Sequence, residues 1–254
     1  MINKKLALAA ALAGAMALPA KADMLGLYIG AQGWQNDVSG AFSENTASLV
    51  DFQFEEKTQA NLYLKFEHPL PLIPNVRVRV GNLEGLGNAS LNDTFEFDGK
   101  QYDVNTTLNS IIDITNNDAT LYWELLDNDI VAFDFGITAK HIDGDILVEG
   151  ESGGQSASSM EELSVWLPMG YAAVKVRVPF AGVYVYGDAN YVSYDGSDVH
   201  DYEVGVGYDI MDNLAVDIAL TAGYREMVIE LDDVDDLNAN VEFSGFFAGL
   251  EVHF

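Results

Sequence analysis

From Leu25 to Phe254 the chain keeps returning to one rhythm, an apolar residue at every second position. Counting back from Phe254 gives Val252, Leu250, Ala248 and Phe246, set against His253, Glu251, Gly249, Phe247 and Gly245. A strand turns successive side chains to opposite faces, so this segment has one apolar face and one mostly small or polar face. The same pattern sets Leu25, Leu27, Ile29 and Ala31 against Gly26, Tyr28, Gly30 and Gln32. It recurs at Leu62 to Phe66, Val76 to Val80, Leu121 to Leu125, Val131 to Ile137, Val174 to Val178, Val183 to Val185, Tyr202 to Ile210 and Leu214 to Tyr224.

About ten strands follow, an even number as a closed antiparallel barrel requires. Eight or twelve stay open, because parity blurs between Ser156 and Ala172 around Pro168-Met169-Gly170. The connections alternate in length. Short ones fall at Pro69 to Pro74, Asp127 to Asp129, Pro179 to Gly182 and Met211 to Asn213. Longer, acidic ones fall at about Gln35 to Thr58, Gly85 to Asp118, Asp143 to Met160, Asp195 to Val199 and Asp232 to Asn240. Within the second of these, Asp98-Gly99 is a hairpin signal between Thr94–Phe97 and Lys100–Val104, and predicts a short ribbon projecting from the rim. The expected fold is an all-β, up-and-down transmembrane barrel of one domain spanning 23–254.

The first 22 residues read as a secretory leader: Lys4 and Lys5, an Ala/Leu-rich run from Leu6 to Leu18, then Ala20-Lys21-Ala22. No later segment reaches the about 20 apolar residues of a membrane helix. With no cysteine, thiol chemistry and disulfides are excluded. Removing Lys4, Lys5 and Lys21 leaves 12 − 3 = 9 basic against 40 acidic residues, a net charge near 9 − 40 = −31. Such a surface repels nucleic acid and attracts divalent cations or basic partners.

The basic residues are placed unevenly. Lys65, Arg77, Arg79, Lys140, Lys175, Arg177 and Arg225 all share the polar faces of strands, and only Lys57 and Lys100 fall in loops. Glu67, Glu124, Asp134, Glu203, Asp209, Asp217 and Glu251 share those same faces. Buried charge is tolerable only when paired, so these fourteen residues predict a narrow lumen filled by its own ion pairs. The opposite face would meet lipid, with Phe66, Tyr208 and Phe254 at one interface and Tyr202, Tyr224 and Phe246 at the other.

Leader, strand–turn rhythm and aromatic terminal strand together make the chain similar to small proteobacterial outer-membrane β-barrel proteins. In particular it resembles an uncharacterised family noted for a Gly-Gly pair, here Gly153-Gly154. The resemblance implies a bacterial outer-membrane location with both termini periplasmic, and lipid and lipopolysaccharide as surroundings. It also implies that Phe246, Leu250, Val252 and Phe254 form the signal read by the barrel-insertion machinery.

Catalytic chemistry is sparse. His141 with Asp143 and Asp145, and His200 with Asp198 and Asp201, fall near the loop-side rim, where omptin proteases build a site from Asp and His. Omptins show no second signature here, and acid-rich loops supply such neighbours freely. No cofactor or metal site is expected, although Asp195 to Asp198 and Asp232 to Asp236 are acidic enough to attract Ca²⁺ through carboxylate oxygens. The expectation is a non-enzymatic barrel, structural or a narrow pore with a charge-filled lumen. The alternative is a rim-active enzyme or a loop-mediated adhesin.

Overall fold

The computed structural model describes residues 25–43, 49–213, 216–234 and 237–254, so the leader read at 1–22 lies outside it. Thirteen strands follow in order: β1 (Gly26–Ser43), β2 (Val50–Phe54), β3 (Lys57–Glu67), β4 (Asn75–Ser90), β5 (Phe95–Phe97), β6 (Lys100–Tyr102), β7 (Thr107–Asp127), β8 (Val131–Ser152), β9 (Gln155–Val178), β10 (Val183–Tyr194), β11 (Ser197–Met211), β12 (Asp217–Val234) and β13 (Leu237–His253). β2 and β3 both lie between β1 and β4 and act as one stave, interrupted at Glu55-Glu56. β13 pairs back onto β1 through Ile29↔Val252 and Ala31↔Leu250, closing an antiparallel barrel of ten staves. The β5–β6 hairpin is a separate two-stranded sheet and not part of the ring.

Register fixes the tilt. The path Leu27↔Phe66↔Val76↔Leu121↔Ile137↔Gly170↔Tyr191↔His200↔Val228↔Glu242 returns to β1 at Ser39, a shear of 39 − 27 = 12 residues. For ten strands that corresponds to a tilt of about 40°. The chain's described ends and the tight turns share one end of the barrel, the terminal end. The remaining hairpins form the other, the far end.

The segments expected as long far-side loops are mostly wall. β7, β8 and β9 run 21, 22 and 24 residues, about twice the 9–11 that cross a bilayer. The blurred Ser156–Ala172 stretch is one uninterrupted part of β9. Two-residue turns suffice at the far end: Gly153-Gly154 (φ 59° and 71°) and Asp195-Gly196 (φ 50° and 90°), where left-handed backbone matches the twist of a hairpin. Asp232 to Asp236 is largely strand as well, with Asp235 and Asp236 outside the described residues.

Side-chain polarity explains the extra height. On β12 the outward Leu220, Ala222 and Tyr224 give way to Glu226 and Glu230, while the inward Thr221 and Arg225 give way to buried Met227 and Ile229. On β8 the outward Phe135 and Ile137 give way to His141, Asp143 and Asp145, and the inward Lys140 to buried Ile142, Ile146 and Val148. The strand does not change parity; the surroundings do. The lower barrel is apolar outside and polar inside, and the upper barrel has the ordinary arrangement of a protein in water.

The upper interior is therefore solid. Trp34, Phe42, Leu108, Val148, Met227 and Phe243 are fully or almost fully buried there. The β5–β6 ribbon folds into this core instead of projecting, which corrects the sequence expectation. Phe95, Phe97 and Tyr102 are wholly buried, and Phe42 stacks on Phe52 at 4.7 Å beside them. Tyr102 donates its hydroxyl to Ser159 Oγ at 2.8 Å, and the Gly154 N–H donates to Asp103 Oδ2 at 3.0 Å. Three aromatic side chains on so short a ribbon would be costly to leave in water, each stabilising by about 2–3 kcal/mol when buried. They turn inward.

Candidate functional site in the barrel interior

Below the apolar core lies a layer of charges. Arg225 on β12 donates Nε and Nη2 to the two oxygens of Asp201 on β11, both at 2.8 Å, and Nη1 to Asn61 Oδ1 at 3.0 Å. The Lys140 ammonium sits between Asp201 Oδ2 at 2.9 Å, Asp118 at 2.8 Å and Asn116 Oδ1 at 3.0 Å. Arg79 reaches Glu203 at 2.6 Å, and Gln32 donates to the other Glu203 oxygen at 3.4 Å. Trp34 covers Arg225 from above, its ring 4.6 Å from the guanidinium carbon. Lys140, Arg225 and Asp201 are at most 1% exposed, so each charge persists only because the others satisfy it.

Towards the terminal end the lumen opens into a vestibule of about 400 Å³. Arg77 meets Asp188 at 3.1 Å and donates to the Tyr171 hydroxyl at 3.3 Å. Tyr63 donates to Glu251 at 2.7 Å, with Lys65 3.6 Å from the same carboxylate. Tyr122 donates to Glu67 at 2.7 Å. Lys175 lies 4.3 Å over the Tyr184 ring, and Arg177 pairs with Asp209 at 3.0 Å at the mouth. His253 stacks on Tyr28 and bonds Asp217 at 3.2 Å. Two inward glycines make room for the rings: a Cβ at Gly30 or at Gly207 would stand 2.0 Å from the Cζ of Tyr63 or Tyr184.

All fourteen residues named from the sequence face the interior, but they occupy only its lower half. Glu124 and Asp134 line the vestibule without a cation of their own within 4 Å among the described contacts. The acids that complete the central layer, Asp118, Asp188 and Asp201, were not in the expected set. The sequence places Asp201 near the rim beside His200, yet its parity with Glu203 and Asp209 is a signal sufficient to place it inside. Asp118 closes the Gly85–Asp118 segment that the sequence marks as a connection, and Asp188 is inside the lumen beside Arg77.

The histidine pairs do not assemble at the mouth. His200 points outward to Asp198 at 3.1 Å and Glu226 at 3.8 Å, on the opposite face from Asp201. His141 also lies outside, stacked 4.3 Å from Trp166, with Ser164 Oγ at 3.3 Å and Asp143 at 3.9 Å. Two staves separate the strands that carry these histidines. Among the described residues no group of three or more His, Asp or Glu side chains is placed to hold a metal ion.

The residues expected to form the terminal signal all face outward: Phe246 is 74%, Leu250 42% and Phe254 54% exposed, with Val252 half-buried beside them. Tyr224 packs edge-on against Phe246, their ring centroids 5.5 Å apart.

No protein-family model and no curated protein matches the chain. Among solved structures, the outer membrane protease OmpT from Escherichia coli aligns with 93% of this chain and 98% of its own, at 10% identity and a TM-score of 0.50. Ail of Yersinia pestis, solved with a heparin analogue, aligns with 90% of this chain and 99% of its own, at 13% identity and a TM-score of 0.34. The OmpT likeness is one of fold: an antiparallel up-and-down barrel of the outer-membrane type, with a ring of about ten strands.

Proposed function

We propose that this chain is an integral barrel of the bacterial outer membrane, both termini periplasmic, whose lumen is closed and whose upper wall stands outside the cell. The observation that carries the reading is the outward band. Ile29, Leu62, Leu64, Val78, Leu121, Ile137, Val174, Val185, Val206 and Leu220 form a continuous belt of side chains 40–60% exposed. A soluble monomer does not present such a belt to water. From Phe246 to Phe254 the band spans eight residue steps, which at about 3.4 Å each and about 40° of tilt rise about 20 Å, close to the apolar band of known membrane barrels.

Two barriers in series support a closed lumen, the aromatic core above and the Arg225–Asp201–Lys140 layer below. The role is therefore structural or binding, not bulk permeation. Binding through the tall outer wall is favoured over catalysis, since His141 and His200 both point away from the mouth. The mature protein refolded into micelles is expected to migrate as a compact, heat-modifiable band and to give no large steps in planar bilayers. Solubility without detergent would refute the membrane placement; large stable conductance would refute the closed lumen.

A further inference from the structure

The barrel wall is unequal in height, and one strand is left without a neighbour where it rises. β9 pairs with β8 along its length, from Ser152↔Gln155 to Val131↔Val176. Its ladder to β10 stops at Gly170↔Tyr191. Beyond that point stands Pro168, which has no N–H to donate. The β10–β11 hairpin turns back at Asp195-Gly196, so from Gln155 to Pro168 the second edge of β9 meets no strand among the described residues. Lys100 on β6 donates to the Ser158 carbonyl at 2.6 Å and covers the upper part of this edge, so the stretch from Met160 to Pro168 is the part that presents backbone amides and carbonyls to an added strand.

The face that ends at this edge carries two registered rows. Glu84↔Asp113↔Asp145↔Glu162 sets four carboxylates side by side across β4, β7, β8 and β9. Immediately above, Leu86↔Ile111↔Leu147↔Met160 forms an apolar row on the same outer face. Lys57 serves Glu84, but no cation lies within 4 Å of Asp113, Asp145 or Glu162 among the described residues. Like charges directly opposite one another on a sheet repel, so the row is a standing cost that a cation at its end would offset. On the inner face Leu163 and Leu167 reach the edge half-buried against the core.

We infer that the upper edge of β9 is a docking site for an extended, basic and apolar polypeptide segment of a partner, which adds as a further strand. Its outward side chains would continue the rows, a Lys or Arg beside Glu162 and an apolar residue beside Met160; its inward ones would be apolar, beside Leu163 and Leu167. Strand addition supplies affinity through main-chain hydrogen bonds and specificity through alternate side chains. A second copy of this chain fits poorly, since pairing β9 with β9 brings acidic walls of a chain near −31 together. The inference rests on the proposed membrane placement only for the compartment that the edge faces.

The test uses the full mature barrel in neutral micelles and a labelled alternating Val/Lys peptide of about seven residues, read by fluorescence anisotropy. Saturable binding is expected, weakening between about 50 mM and about 300 mM salt, with none for the Val/Glu counterpart. Two N-methylated versions, each blocking the amides of one peptide edge, separate strand addition from adsorption: one should lose binding and the other keep it. Glu162→Lys combined with Asp145→Lys, both exposed, should weaken the peptide about tenfold. Equal binding of both N-methylated forms, or indifference to the charge reversal, would overturn the inference. So would a concentration-dependent dimer that displaces the peptide. A heat-modifiable barrel that ignores the peptide refutes the docking edge while leaving the membrane placement standing.

Discussion

Replacing Asp201 by Asn keeps the shape of the central layer and removes the charge that both Arg225 and Lys140 share. All three side chains are within 1% of complete burial, so no water can take over the carboxylate's part. Removing one member of a buried ion pair costs about 3–5 kcal/mol, because the partner is left charged and uncompensated. Here each partner retains something: Lys140 keeps Asp118 and Asn116, and Arg225 keeps Asn61 and the face of Trp34. The loss should therefore sit near the low end, about 3 kcal/mol, or about a hundredfold in the folding equilibrium. Arg225→Met should cost less, about 2 kcal/mol, since Asp201 still holds Lys140. The double variant should lose about 3 kcal/mol instead of the sum, a coupling of about 2 kcal/mol. Denaturant titration of the micellar barrel, followed by tryptophan emission, measures all three. An Asp201→Asn midpoint indistinguishable from the parent, or strict additivity in the double variant, would show that the layer does not act as a unit.

Three further outcomes follow from the same geometry. Replacing Thr94–Asp103 by a short Gly linker removes three buried aromatic side chains and should cost about 6–9 kcal/mol; bilayer recordings should nevertheless stay quiet, because the Arg225–Asp201–Lys140 layer remains, and large steps would refute its role as a seal. Gly207→Val drives a side chain into the Tyr184 ring and should destabilise by about 1–3 kcal/mol, a loss that Tyr184→Ala in the same chain should partly reverse; no recovery in the paired unfolding curves would contradict the contact. In the upper wall, the hydrogen bond from Lys57 holds the Glu84 carboxyl below its ordinary range. A depressed carboxylate stabilises above its unfolded value of about 4.3 and loses that contribution as pH falls through the folded value, so the stability profile of Glu84→Gln should be flatter than the parent's below about pH 5, and parallel profiles would exclude the pair.

Much of the wall could be read from parity alone, because a period of two survives any change of surroundings. The terminal face of Phe246, Leu250 and Phe254, the inward set from Lys65 to Glu251, and the Asp98-Gly99 turn all lie where alternation and turn chemistry place them. What parity could not give by itself was the medium on each side. Ile142, Ile146 and Val148 continue the same face as Lys140, and Asp143 and Asp145 the same face as Ile137. The acidic run from Asp143 to Glu151 resembles a loop in composition, but here acid marks a strand that has left the apolar band. Partner choice inside the lumen was less legible still. Arg225 and Asp201 are 24 residues apart in sequence, and Arg79 and Glu203 are 124 apart; only a closed register brings them together.

Sorting the cations inward has a consequence for anything that recognises lysine or arginine. Of the nine basic residues from Asp23 onward, Arg77, Arg79, Lys140 and Arg225 are sealed in the lumen, and Lys65, Lys175 and Arg177 line the vestibule at the terminal end. The far end offers only Lys57 and Lys100, both held within strands. To a trypsin-like protease or an amine-reactive label approaching from that side, a chain of this length is almost blank. The ion pairs that fill the barrel also take away its handles.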